Sequence, residues 1–283
     1  MNRQRFLGLW LVILGCGSSP LMANEASVNV PDENLRAVIL EIKAKKQGEG
    51  EEITLDDLKS IYFLQANGRG IEDLTGLEHC SNLREVKLAN NNIQNVAPLA
   101  KCNLVQSLDL SNNKIADVSP LGELTKLQYL NIEHNQVEKL DGIESLSALS
   151  NLYASHNKIK SIEPVASLEK LSSLYLNHNQ ISDIGPLKNQ AWLLSLGLAH
   201  NQIQDVALLP PGNGGYTTYL QGNQISDLTP LVKLAQEDLD GPDSFATFWR
   251  IYLAGNPLDD PAAQEQLDQL KQLGVQLDME YDR

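Results

Sequence analysis

Hydrophobic and polar positions along this chain repeat every 22 residues. Asn91, Asn113, Asn135, Asn157, Asn179, Asn201 and Asn223 mark the period. Five residues before each stand Val86, Leu108, Leu130, Leu152, Leu174, Leu196 and Thr218, and three before stand Leu88, Leu110, Ile132, Ala154, Leu176, Leu198 and Leu220. Isoleucine or valine follows two residues after each Asn, and a proline column holds Pro98, Pro120, Pro164, Pro186 and Pro230. The apolar pair, with one residue between its members, predicts a short strand with alternate side chains turned inward. Strands of successive units then lie ~4.8 Å apart in a parallel sheet. The Asn enters the core where the chain leaves the strand, and its amide can pair backbone groups that would otherwise be buried unsatisfied. Proline stops regular pairing and stiffens the return arm. No single unit can bury its apolar face alone, so the units must stack.

This unit, L-x-x-L-x-L-x-x-N-x-I-x-x-(I/V/L)-x-P-L, resembles the leucine-rich repeat family, and within it the 22-residue class of bacterial internalin-type surface proteins. The resemblance covers roughly residues 27–283 and implies an α/β solenoid. That fold is a curved repeat stack with a concave parallel β-sheet, an N-terminal helical cap and a C-terminal helix-strand cap. Repeats are placed at 61–258, about nine units. The segment from Ile53 to Ile71 resembles a degenerate first unit, with Arg69 at the ladder position. Capping helices are expected within 31–60, where Leu35, Val38, Ile39 and Ile42 share one helical face and Lys43 to Glu52 reads as a charged loop. The C-terminal cap is 259–283, with Asp260-Pro261 as helix start and Gly274 as stop.

The pattern breaks twice. Turn formers Leu209 to Gly215 replace a return arm, and Thr218 weakens the next core layer. The ladder resumes at Asn256, 33 residues after Asn223, so that unit carries an acidic insertion within 232–247 that reads as a loop.

The N-terminus has another character. Arg3 and Arg5 precede the short apolar run Phe6 to Leu14, which predicts a signal peptide. Ile13-Leu14-Gly15-Cys16 resembles the bacterial lipoprotein cleavage box, which makes 1–15 the signal, Cys16 the lipidated residue and 16–30 a tether. A cut after Ala23 is the alternative. The expected location is therefore the bacterial cell envelope, on a lipid anchor, or else the periplasm or the exterior.

Composition narrows the function. The chain has 283 residues and 22 basic against 36 acidic side chains, for a net charge of −14, which excludes the basic footprint of a nucleic-acid binder. Its 48 leucines against 5% aromatics are the repeat columns written many times over. Three cysteines are too few for a disulfide scaffold. Cys80 and Cys102 occupy equivalent positions one period apart, leaving both a disulfide and a small apolar filler open. The motifs H-E-x-x-H, C-x-x-C and G-x-S-x-G are missing from the sequence, so neither an enzyme nor a cofactor is expected.

What remains is a binding surface. One outward column runs Gln65, Lys87, Asp109, Asn131, Tyr153, Tyr175, Gly197, Tyr219 and Tyr252, with Tyr129 in the column beside it. Five tyrosines on one face suit recognition of a protein partner. A polysaccharide stacked on the tyrosines is the alternative. His134, His156, His178 and His200 each precede a ladder Asn, and could form a metal-binding or acid-sensitive row. The resemblance supplies a plainer reading, because His-Asn is a common strand exit in this family. Internalin-type members serve as adhesins, but their ligand-reading positions vary freely, so no partner identity follows.

Overall fold

The computed structural model describes residues 27–47, 50–211, 216–241 and 245–279. The proposed signal peptide, Cys16, the cut after Ala23 and the Gly212–Gly215 run lie outside them. Ten three-residue strands make one parallel sheet in strict chain order. They are β1 (Phe63–Gln65), β2 (Glu85–Lys87), β3 (Ser107–Asp109), β4 (Tyr129–Asn131), β5 (Asn151–Tyr153), β6 (Ser173–Tyr175), β7 (Ser195–Gly197), β8 (Thr217–Tyr219), β9 (Arg250–Tyr252) and β10 (Gln276–Asp278). Each strand pairs with the next without slippage, so Val86, Leu108, Leu130, Leu152, Leu174, Leu196 and Thr218 align as one buried row. The result is an open curved solenoid with a single elongated core.

The return arms are short 3-10 turns, and the proline column opens several of them, as at Ala97–Lys101, Ser119–Glu123 and Glu163–Ser167. Just upstream, an Asx side chain accepts the backbone N–H two residues on: Asn95 from Ala97, Asp117 from Ser119, Asp183 from Gly185 and Asp205 from Ala207. This local bond competes with continued strand and starts the turn.

The ladder amides bridge layers. Asn179 Nδ2 donates to the carbonyls of Ala154 and Leu176, both at 3.0 Å, and its Oδ1 accepts from Ile159 N at 3.0 Å. Asn256 holds the same place beyond the insertion, donating to Leu220 O and accepting from Ile225 N.

Four local expectations need correction. The segment after Ile42 is not a loop at first, because helix α1 (Glu33–Gln47) continues through it. Lys43 anchors it by donating to Glu52 O at 2.7 Å and Asp57 Oδ2 at 2.9 Å, against helix α2 (Leu55–Lys59). The end of the tether also belongs to the cap: Ser27 bridges Thr54, and Val30 is buried. The acidic insertion begins as helix α3 (Thr229–Leu239), with Leu231 and Ala235 inward. It packs on the cap helix α4 (Pro261–Gln272), and Gln266 of α4 bonds Asp227 and Thr229. Finally, Thr218 leaves no weak layer, because Trp249 Nε1 donates to its hydroxyl at 2.9 Å.

Candidate functional site

Strand alternation turns the residues flanking each inward leucine toward the concave face. There Tyr153 and Tyr175 stack in parallel with centroids 5.3 Å apart, and Tyr129 joins at 5.4 Å, tilted by 40°. Tyr175 reaches Tyr219 at 6.2 Å across Gly197, and Tyr219 stacks on Tyr252 at 4.8 Å. The row is continuous because Gly197 has no side chain: a Cβ there would sit 2.7 Å from Tyr175 Cδ1. Tyr175 Oη is fixed to Ser195 Oγ by a 2.5 Å hydrogen bond. Five rings from separate strands thus form one ladder of two stacked pairs, Tyr153–Tyr175 and Tyr219–Tyr252, joined to each other and to Tyr129 by tilted contacts.

The N-terminal part of the same face is polar. Lys87 donates to the Glu85 carboxylate at 2.8 Å, and that hydrogen bond raises the lysine above its ordinary range. Asp109 accepts from Ser111 N and Oγ, and Asn131 accepts from Glu133 N, so both side chains are tied to their own strand exits. Burial raises the Tyr129 phenol, with the Asp109 charge adding to it against a bond from Asn131.

The histidines form a second ladder. Centroid separations are 4.1, 4.2 and 4.2 Å along His134, His156, His178 and His200, with interplanar angles of 9° to 14°. All four have φ between 53° and 57°, as do Asn90 and Asn112 within a few degrees, while Gly68, Gly222 and Gly255 take the equivalent place. The strand exit therefore demands a left-handed residue, which Gly, Asn and His tolerate best. Parallel rings do not converge their nitrogens on one point, and no cluster of three metal-ligating side chains occurs among the described residues. The geometry therefore does not support the metal reading.

Cys80 and Cys102 are free thiols, which corrects the disulfide alternative. Both are fully buried, and Cys102 Sγ donates to Leu77 O at 3.1 Å. Burial pushes the Cys102 thiol up to about 12 and Cys80 higher still, so neither is a reactive nucleophile.

Comparison with known proteins agrees with this architecture. Family models described as Leucine Rich repeats (2 copies) match residues 104–145 and 147–189, and a Leucine Rich repeat model matches 79–97. An internalin, InlF, from Listeria monocytogenes is 25% identical with a TM-score of 0.73, over 92% of this chain and 72% of its own. Internalin C2 of the same organism is 30% identical with a TM-score of 0.65, over 72% of this chain and 90% of its own. The chain belongs to the leucine-rich repeat family, in its internalin-like form. A leucine-rich repeat protein of Leptospira interrogans shares the fold at 18% identity and a TM-score of 0.63, covering 80% of this chain and 62% of its own. No curated protein matches the sequence significantly.

Within this internalin-like frame, two features escaped the sequence reading. One is the left-handed column, whose signal is the alternation of Gly, Asn and His just before each ladder Asn. The other is a groove beside the histidine row, whose floor residues share no type.

The histidine row also predicts a pH response. Burial, then the neighbouring imidazoles, hold His156 and His178 below the ordinary 6.5. The unfolded chain consequently binds more protons in this range. The stability they contribute is fully present above pH 6.5 and is lost as pH falls through their lowered values. Thermal midpoints measured by circular dichroism should therefore fall between mildly alkaline and mildly acidic buffer. A His156→Asn/His178→Asn variant should show a shallower fall; an equal slope in that variant would locate the acid sensitivity elsewhere. Asp117 and Asp227, held below 3.8 by hydrogen bonds from Ser119 and Thr229, act only in more acidic buffer.

Proposed function

We propose that this protein is an exported, non-catalytic binding protein that recognises a protein partner through the concave tyrosine ladder. The fold is typical of protein-binding scaffolds, which offer an extended concave surface. The observation that carries the reading is the ring arrangement. Tyr153 stacks on Tyr175 and Tyr219 on Tyr252, so the faces within each pair are covered and the pairs present edges and hydroxyls. A sugar that stacks on aromatic faces is left the ends of the row and the tilted junctions at Tyr129 and between Tyr175 and Tyr219. A polypeptide surface, by contrast, can pack its apolar groups on the ring edges and bond the hydroxyls. The polar stretch of Lys87, Asp109 and Asn131 flanks this patch and contributes orientation.

The protein reaches its partner from the cell envelope, held by a lipid on Cys16. The basic, apolar and cleavage-box segments of the N-terminus support this. Replacing Cys16 with serine should move the protein from the membrane fraction to the soluble one.

The functional test starts with photo-crosslinking from the Tyr153 and Tyr175 positions in the native bacterium, which names the partner. A Tyr153→Ala/Tyr175→Ala variant should then bind it about 30-fold more weakly or worse, as expected when central interface aromatics are truncated. Unchanged affinity would remove the tyrosine ladder from the interface. Capture of a polysaccharide instead of a protein would replace the reading.

A further inference from the structure

We infer that the groove between the tyrosine and histidine ladders is a second binding site, built for an extended basic segment of a polypeptide. The inference rests on the protein-partner reading above and adds the chemistry of what this strip of the concave face receives.

The groove is a cavity of about 300 Å³ that crosses five consecutive units. Its floor is the position two residues before the ladder Asn: Glu133, Ser155, Asn177, Ala199 and Gln221. The histidine rings make one wall, and Tyr219 belongs to the other. At one end, Gly222 lets His200 lie over the backbone, since a Cβ there would come within 2.6 Å of the ring.

Two polar atoms on this floor have no partner. Ser155 Oγ and Gln221 Oε1 are shielded from solvent, in residues that are 3% and 8% exposed, and neither makes a hydrogen bond. Among the described residues only one other buried side-chain polar atom, Tyr216 Oη, shares this condition. Buried polar groups are normally paired. Two unpaired ones beside a single groove mark where an incoming molecule can supply the missing bonds, once a turn of the Ser155 or Gln221 side chain brings the covered atom to the groove surface.

The chemistry of that molecule follows from what lines the groove. Gln221 Oε1 only accepts, Ser155 Oγ accepts or donates, and Glu133 adds a carboxylate at the far end. Among the described lining residues there is no lysine or arginine. At neutral pH the two inner imidazoles are uncharged, held so by burial and by their neighbours in the row. The site is rich in acceptors and lacks cationic donors, so it calls for N–H groups on an amide chain, an ammonium or a guanidinium. The chain's net charge of −14 favours a basic occupant further.

Spacing favours a polypeptide. Ser155 and Gln221 lie three layers apart, roughly 14 Å at ~4.8 Å per layer, which about four residues of extended chain would span. Flat stacking of a saccharide is excluded on this wall, because the imidazole faces are covered by one another.

The test uses the full mature chain and three short capped peptides: arginine-serine, glutamine-serine and glutamate-serine repeats, at roughly physiological salt to screen long-range attraction. Nuclear magnetic resonance of the imidazole C–H groups reports on the wall directly. The basic peptide should shift the row resonances and bind most tightly. Gln221→Leu should weaken it about tenfold, as expected for loss of a hydrogen bond to a charged group. His156→Asn/His178→Asn should also weaken it, and this variant keeps the strand exit intact because Asn90 and Asn112 already occupy that conformation. The inference is overturned by unshifted row resonances, by equal binding of the acidic peptide, or by unchanged affinity in the histidine variant. Tyr153→Ala/Tyr175→Ala should leave peptide binding intact. A protein partner that tolerates the groove substitutions but not the tyrosine ones would overturn this inference while leaving the concave-face reading standing.

Discussion

Replacing Asn179 with alanine is expected to destabilise the solenoid by about 3–5 kcal/mol and to lower its thermal midpoint by roughly 10 °C. The size follows from what the amide holds. Its Nδ2 donates to Ala154 O and Leu176 O at 3.0 Å and, more loosely, to Asn177 O at 3.3 Å. Its Oδ1 accepts from Ile159 N at 3.0 Å, one layer back. Alanine would leave those backbone groups in a water-poor turn, each costing ~1–3 kcal/mol if it finds no other partner. Asn179→Asp is a sharper version, because a carboxylate keeps the acceptor and loses both donors. It should be at least as damaging as alanine. Asn135 makes the same bonds but is only half-buried, so water can replace part of what is lost and its alanine variant should cost less. Midpoints from circular dichroism settle the order. A shift under roughly 2 °C for Asn179→Ala would mean the ladder is not what holds adjacent layers together.

That ladder was legible in the sequence because each of its members does the same job in the same surroundings. A repeat forces equivalent positions into equivalent environments, so Leu130, Leu152 and Leu174 read as one column and the sheet register follows. The concave tyrosines were legible for the same reason, since strand alternation decides which side chains face out. The groove was not. Ser155, Asn177, Ala199 and Gln221 have only position in common, and the two unpaired atoms exist only once neighbouring layers close over them. Helix α3 was missed for a different reason. Thr229-Pro230 followed by Leu231, Leu234 and Ala235 carries a helix start and an i, i+3, i+4 face. Reading the segment as an interruption of the repeat hid its own period. The cysteines show the limit of spacing arguments: adjacent layers bring two thiols near each other, but side-chain direction decides whether they bond.

Truncating Trp249 to alanine is expected to cost about 3–5 kcal/mol, the usual range for emptying a fully buried aromatic site. The residue marks a change in how the core is filled. In the regular units a leucine or valine eight residues before the ladder Asn is buried: Leu83, Val105, Leu127, Leu149, Leu171 and Leu193. In the unit ending at Asn256 that position is Phe248, which is 62% exposed, and the next residue, Trp249, turns inward instead. Tyr216 makes the same substitution one layer earlier, and its ring stacks on the indole at 6.0 Å, with Phe245 tilted against the indole at 5.4 Å. A leucine at 218 would crowd the indole; threonine is smaller, and its hydroxyl receives the indole N–H. The aromatic cluster therefore joins the regular stack to α3 and the C-terminal cap. Trp249→Phe keeps most of the apolar volume and isolates the hydrogen bond, leaving the Thr218 hydroxyl in an apolar layer. If that bond matters, Thr218→Val should be less harmful in the Trp249→Phe background than in the native one, and the double-mutant cycle should show a coupling of about 1 kcal/mol. Zero coupling would mean that the indole is held by shape alone. Because each layer of a solenoid rests on its neighbours, Trp249→Ala should also release α4 first, read as early hydrogen exchange at Leu267 and Leu270 while the amides around Asn113 stay protected. Uniform exchange along the whole stack would instead make the protein a single cooperative unit.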